Sequence, residues 1–301
     1  MLFKFIFILL STVVVMSANE IKVIAFAQDT MANDYRRSQV YEVRDSVKNH
    51  KNLKFVYSNA EGKTALLISQ IEKFISDKVD VLIVGTNDAN AVVPIVAKAY
   101  KSGIHVIILD RGINGDQYTT FINSDNIKIG KIGAEFVAKR LGKKGKVLLF
   151  EGLQKADVTQ LRTKGFMQAI SKYKGISVIK RTGNYLRRDA IIEMEKLLND
   201  GIRVDAVVSQ SDSMISGVRS TLIRHKMDPS SVIMIGCDYT NEARDAIRNN
   251  TQTASILFPL GGKKSVEVAL KLLAGEKVKK HIVIPVKLVT KENVDKVKAV
   301  F

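Results

Sequence analysis

Short runs of branched and apolar residues recur along the chain, and between them lie longer stretches in which apolar residues return every three or four positions. The runs occupy residues 21–27, 53–57, 81–84, 106–109, 147–150, 176–179, 206–209 and 232–235. They lack the polar alternation of a half-wet strand, so each predicts a strand buried on both faces. The stretches between them have helical period, as in Val40, Val43 and Val47, and again in Ile191, Met194, Leu197 and Leu198. Fully apolar strands separated by helices give a parallel sheet covered on both sides. The predicted class is α/β, doubly wound.

The two halves parallel each other. Residues 79–89 (VDVLIVGTNDA) match residues 204–213 (VDAVVSQSDS), and in each an acidic residue is expected to cap the next helix. One strand later, residues 106–110 match residues 233–238, and both segments end in aspartate, Asp110 and Asp238. Open parallel sheets hold ligands at the carboxyl ends of their strands. Two such lobes face to face bring Asp110 and Asp238 to opposite walls of one cleft; the alternative is two unrelated loop aspartates. Between the halves, Phe121-Ile122-Asn123-Ser124-Asp125-Asn126 reads as strand end, crossover and helix cap, with a helix running on to Leu141. No Gly/Ser or Pro linker intervenes, which predicts a hinge rather than a tether. Further on, Pro259-Leu260-Gly261 leads into a helix to about Leu273, and residues 282–289 read as one final strand. With further crossings at Leu257 and Pro285, the expected lobes are discontinuous: residues 19–123 plus 258–285, and 124–257 plus 286–301.

The first residues change the picture of where the protein works. Lys4 precedes an uncharged stretch from Phe5 to Asn19, and small residues at Ser17 and Ala18 offer a cleavage point. The apolar part is shorter than the roughly 20 residues a membrane span needs, so residues 1–18 are expected to be a cleaved signal peptide and the mature chain to be exported to the periplasm. A chain of 301 residues exceeds the usual single core, again favouring two domains. The single cysteine, Cys237, leaves no internal disulfide to stabilise it. The net charge of +17 is spread over helix faces, as at Lys263-Lys264 and Lys277, Lys279 and Lys280, without an aromatic-interleaved basic cluster. No nucleic-acid partner is expected.

No catalytic pattern emerges. The first strand-to-helix turn, residues 28–34, has no glycine and so carries neither a dinucleotide fingerprint nor a phosphate loop. His50, His105, His225 and His281 lack metal-ligand spacing. No Gly-x-Ser-x-Gly elbow occurs, and Cys237 has no paired base, reading as a buried structural thiol rather than a nucleophile. The chain is not expected to be an enzyme or to hold a cofactor. What stands out is polar groups at strand ends. Asp110-Arg111 sets an acceptor-only carboxylate beside a planar five-donor guanidinium, a pair suited to vicinal hydroxyls, which both donate and accept. Tyr35 and Tyr185 stand at helix starts, where a ring can either cover the C–H face of a sugar or simply pack.

These features, with Ile108-Leu109-Asp110-Arg111, Ser124-Asp125-Asn126, Gly130-Lys131-Ile132-Gly133, Arg162-Thr163-Lys164-Gly165-Phe166, Ser211-Asp212, Gly236-Cys237-Asp238 and the closing Ile284-Pro285-Val286-Lys287-Leu288-Val289, resemble the periplasmic sugar-binding proteins of the ribose-binding type over residues 21–290. The resemblance implies two Rossmann-like lobes joined by three crossings, near Ser124, Leu257 and Pro285, and a sugar enclosed by hinge closure. It also implies a monomer that delivers its ligand to the permease of an ABC importer, or presents its closed form to a chemoreceptor or sensor kinase. The family's pocket maps onto Asn33, Tyr35, Arg36, Asp110, Arg111, Gln160, Tyr185, Ser211, Cys237, Asp238 and Leu257. Several of these depart from the ribose pattern: asparagine becomes Ser211, arginine becomes Gln160, glutamine becomes Leu257, and two stacking phenylalanines become Arg36 and Cys237.

Arg36 shares a helical face with Val40, Val43 and Val47, whereas Arg37, Arg44 and Lys48 fall largely on the wet side. An arginine at the inner end of an apolar stripe needs a partner or a cavity. It is expected either to point into the cleft and donate to the ligand, for example to an acidic substituent, or to turn out to solvent at the first helical turn.

Overall fold

The computed structural model describes residues 20–301; the expected signal peptide lies outside the described residues. In chain order the elements are β1 (Lys22–Gln28), α1 (Asp34–Val47), β2 (Leu53–Asn59), α2 (Thr64–Ser76), β3 (Val81–Gly85), α3 (Val93–Lys101), β4 (His105–Leu109), β5 (Thr120–Asn123), α4 (Asn126–Arg140), β6 (Lys144–Glu151) and α5 (Asp157–Ile170). They continue with β7 (Gly175–Thr182), α6 (Arg187–Asn199), β8 (Ala206–Ser209), α7 (Asp212–Arg224), β9 (Ile233–Asp238), α8 (Asn241–Arg248), β10 (Ala254–Leu257), α9 (Gly262–Leu273), β11 (His281–Val283) and β12 (Lys287–Thr290).

The strands form two six-stranded sheets, ordered β11-β5-β4-β3-β1-β2 and β12-β10-β9-β8-β6-β7. Every recorded pairing is parallel except β10 with β12. The apolar runs explain the layering. In the first sheet Ala25, Ala27, Leu82, Val84, Val106 and Ile108 pack under α2 and α3, while Ile24, Phe26, Val81, Ile83, Ile107 and Leu109 pack under α1 and α9. The second sheet repeats this, with Val147, Leu149 and Ile235 facing α4 and α5 and Leu148, Phe150 and Met234 facing α6 and α7. Burying both faces is what removed the alternation from the central strands; the expectation for residues 53–57 and 176–179 is corrected, because β2 and β7 lie at sheet edges and keep exposed positions among half-buried ones.

The chain passes between the sheets three times: from β5 to α4 through Ser124-Asp125, from β10 to α9 through residues 258–261, and from β11 to β12 through Ile284-Pro285-Val286. Asp125 caps α4 by accepting from the Lys128 amide. The single final strand expected over residues 282–289 is corrected to two strands in different sheets: β11 pairs with β5 and β12 pairs with β10. Pro285, which has no N–H to give a ladder, separates them. Acidic capping after β3 and β8 is also corrected. Asp88 accepts from the Asn90 and Ala91 amides of a turn ahead of α3, and the cap of α7 is Ser211, which accepts from Met214. Asp212 is instead buried, accepting from the Tyr239 and Thr240 amides, Ser255 Oγ and Gln252 Nε2.

Two glycines set how closely α4 and α5 approach. A Cβ on Gly130 would lie 2.0 Å from the Arg162 carbonyl oxygen, and one on Gly165 would lie 2.1 Å from that of Ile127. Both distances are far inside van der Waals contact, so this crossing admits only hydrogen. It holds α5, and with it Arg162, against α4.

Candidate functional site

The carboxyl ends of both sheets converge on one small cavity, with about 290 Å³ of empty space that is partly open to solvent. Its walls come from the start of α1 (Asn33, Tyr35, Arg36), the end of β4 (Asp110, Arg111), α5 (Val158, Arg162), the loop before α6 (Tyr185), the cap of α7 (Ser211), the end of β9 (Asp238) and Phe258 at the second crossing. Three of these residues have left-handed backbones: Asp110 (φ 68°), Tyr185 (φ 61°) and Asp238 (φ 115°). Such conformations cost on the order of 1–3 kcal/mol each in residues other than glycine and gather where the fold must aim a side chain.

On the first wall two arginines and two aspartates interlace. Arg36 Nη2 lies 2.7 Å from Asp110 Oδ2, and its Nε lies 3.8 Å from Asp29 Oδ1. Arg111 Nη1 lies 2.8 Å from Asp29 Oδ2 and donates to the Thr86 carbonyl at 3.3 Å. Arg36 Nη1 donates to Gln39 Oε1 at 2.9 Å, and Gln39 Nε2 donates to the Leu260 carbonyl at 2.8 Å. All four charged side chains are 5% exposed or less. Burial alone would lower the Arg36 pKa, but Asp110 and Asp29 outweigh it and raise it, whereas burial and the nearby Arg36 depress that of Arg111. Three buried atoms on this wall have no hydrogen-bond partner: the acceptors Asp29 Oδ1 and Asp110 Oδ1 and the donor Arg111 Nε. Such groups cost about 1–3 kcal/mol each if left unmade.

The second wall is built around Arg162 and Asp238. Arg162 donates through Nε to Asn126 Oδ1 (2.8 Å) and through Nη1 to the Gln210 carbonyl (2.7 Å), with its guanidinium 4.5 Å from the Phe258 ring centroid. Burial, reinforced by Asp212, pushes the Asp238 carboxyl well above the usual carboxylate range. The Tyr185 hydroxyl bonds Thr159 Oγ1 at 2.7 Å, so its ring is fixed, and the Arg111 guanidinium sits 5.5 Å from the ring centroid. Tyr35 stacks on Phe258 at 5.2 Å and donates to the Pro259 carbonyl at 2.8 Å. Two hydrogen bonds join the walls directly: Asn33 Nδ2 to the Tyr185 carbonyl at 3.1 Å, and the Gly112 amide to Asp157 Oδ2 at 2.8 Å.

Of the positions expected to form the pocket, Asn33, Tyr35, Arg36, Asp110, Arg111, Tyr185, Ser211 and Asp238 come together around this cavity. Gln160, Cys237 and Leu257 do not. Gln160 is exposed and donates to the Gln154 carbonyl; two residues along a helix turn a side chain by about 200°, and Arg162, four residues after the cavity-lining Val158, occupies the inward face. Cys237 points away from Asp238 into the core under α4 and α5, where burial raises its thiol pKa. Leu257 packs beside Tyr239, and Phe258, the next residue, reaches the cavity. Sequence reasoning also missed Asp29, whose signal was its place directly after the first strand. For Arg36, turning out to solvent is corrected: the side chain is 2% exposed, because Asp110 and Asp29 supply the partners its apolar face lacks.

The profile of the periplasmic binding protein domain matches residues 24–277. The ribose import binding protein of Bacillus subtilis is 30% identical over 244 residues, 80% of this chain and 79% of that protein. A solved ABC transporter solute binding protein of Bacillus halodurans with bound myo-inositol is 30% identical, with a TM-score of 0.87 over 93% of this chain and 98% of that one. The fructose binding periplasmic domain of a hybrid two component system is 26% identical, with a TM-score of 0.85 over 91% of this chain and 92% of that one.

Proposed function

The chain belongs to the periplasmic binding proteins of the ribose-binding type, and from that premise we propose that it captures a monosaccharide or cyclic polyol between its lobes and delivers it to an ABC importer. The observation that carries this reading is the pair of buried, unpartnered atoms Asp110 Oδ1 and Arg111 Nε on adjacent residues. A hydroxyl donates to the first and accepts from the second, so a ligand bearing hydroxyls relieves both desolvation penalties at once. Arg162 and Asp238 supply the same kind of contact from the other wall, and Tyr185 and Phe258 offer ring surface to C–H groups. Binding and release, with no bond made or broken, is the role in this reading. Residues 1–18 serve as a cleaved signal that places the mature chain in the periplasm, and the lobes take the bounds 19–123 plus 258–285 and 124–257 plus 286–301. A sensing role, in which a chemoreceptor or sensor kinase reads the closed form, is favoured by the likeness to the fructose binding domain of a two component system.

The test is a thermal-shift screen of the mature chain against pentoses, hexoses and inositols. A ligand that binds only the folded state stabilises it by about 2.7 kcal/mol at a concentration 100 times its Kd, so at least one member is expected to raise the melting temperature by several degrees. No shift with any of them overturns the reading.

A further inference from the structure

We infer that Arg36 is a specificity-determining residue whose guanidinium is matched inside the protein by Asp110 and Asp29, so that the cavity admits an uncharged hydroxylated ligand and rejects the carboxylate and amine analogues of the same skeleton. This rests on the sugar-binding reading above and narrows it. Arg36 lines the cavity, yet its charge is met within the wall, by Asp110 at 2.7 Å and more distantly by Asp29 at 3.8 Å, with Gln39 bonding a third face of the fork. Arg111, the second cation of the wall, is held by the other oxygen of Asp29. An acidic ligand therefore meets no unmatched guanidinium here.

The unpartnered atoms set the polarity required of the ligand. Asp110 Oδ1 accepts and Arg111 Nε donates. A carboxylate lying across them satisfies Arg111 but sets an oxygen with no proton against Asp110. An ammonium satisfies Asp110 but turns N–H groups toward Arg111. Only a group that both donates and accepts meets both. On the opposite wall Asp238 and Arg162 also set an acceptor and a donor along the cavity, with Nε and Nη1 of Arg162 held by the neutral oxygens of Asn126 and Gln210. On the first wall Asp29 and Asp110 thus stand against Arg36 and Arg111, two carboxyl groups for two guanidiniums.

Calorimetric titration at pH 7 with two matched trios decides the matter: galactose, galacturonate and galactosamine; and glucose, glucuronate and glucosamine. In any trio with a binding member, the neutral compound is expected to bind at least about tenfold more tightly than either charged one, since leaving one buried charge unpaired costs several kcal/mol. In Arg36→Met, which leaves Asp110 and Asp29 in excess, the amine-to-neutral affinity ratio is expected to rise at least about tenfold. Arg36→Lys keeps the charge and is expected to keep the order of preference. An acid that binds as tightly as its neutral parent, or an unchanged ratio in folded Arg36→Met, overturns this inference and leaves sugar binding intact. If Arg36→Met does not fold, the wild-type ratios decide alone. Absence of binding by every trio, together with a silent thermal screen, instead removes the sugar-binding reading.

Discussion

Asp110, Tyr185 and Asp238 hold left-handed backbones although none is glycine, and the aim this gives the Tyr185 ring needs a neighbour that leaves it room. Gly152 provides that room for Tyr185: a Cβ there would lie 1.9 Å from the ring. Gly152→Ala is therefore expected to displace the ring and destabilise the protein by about 1–3 kcal/mol, with loss of ligand affinity. A melting temperature and Kd equal to wild type would show that the ring is not so confined. At this scale the sequence was readable where a residue's place relative to a strand end decides its direction, as for Asp110, Arg111 and Asp238. It was misread where the parity of neighbouring side chains decides. Leu257 and Phe258 lie on opposite sides of an extended segment, and Gln160 and Arg162 on nearly opposite faces of α5. A resemblance that places a motif to within a residue or two leaves that choice open.

Helices and strands were legible because burial on both sheet faces leaves apolar runs that side-chain alternation does not interrupt. Apolar character alone read β11 and β12 as one strand, since it does not say which sheet a segment joins; the crossing expected at Pro285 was the mark of the break. Close approach of α4 and α5 was likewise hidden, because Gly130 and Gly165 lie far apart in the chain and only the fold sets each against the other's backbone. Gly165→Ala, with its Cβ 2.1 Å from the Ile127 carbonyl oxygen, is expected to separate the helices, destabilise the protein by a few kcal/mol and draw Arg162 from the cavity. Denaturant unfolding with parallel ligand titration checks this; a variant as stable as wild type would mean the crossing can relax.

Across the whole molecule, the lobes meet through Asn33 with Tyr185 and Gly112 with Asp157. Burial raises the Asp157 pKa, and Asp110 raises it further, against the opposing pull of the Gly112 and Val158 amides and of Arg111. In an open form this carboxyl is hydrated, with an ordinary pKa near about 3.9. Closure thus takes up protons at Asp157. The sign follows: its contribution to closure is fully present below the open-form pKa and is lost as pH rises through the higher closed-form value. Wild-type affinity, divided by that of Asp157→Asn, is expected to increase as pH falls from 7 toward 4.5, and a flat ratio would dissociate Asp157 from closure. Arg36 adds a mechanical constraint. Its helix, α1, is tied to the second crossing by Tyr35 to the Pro259 carbonyl and by Gln39 to the Leu260 carbonyl, and to the start of α9 by Glu42 to the Lys263 amide. On the proposed reading, the helix that carries Arg36 and the crossing about which the lobes close are one body. A lineage acquiring a new ligand through changes in α1 would therefore retune the stiffness of its own closing motion, and taste and tempo would evolve together.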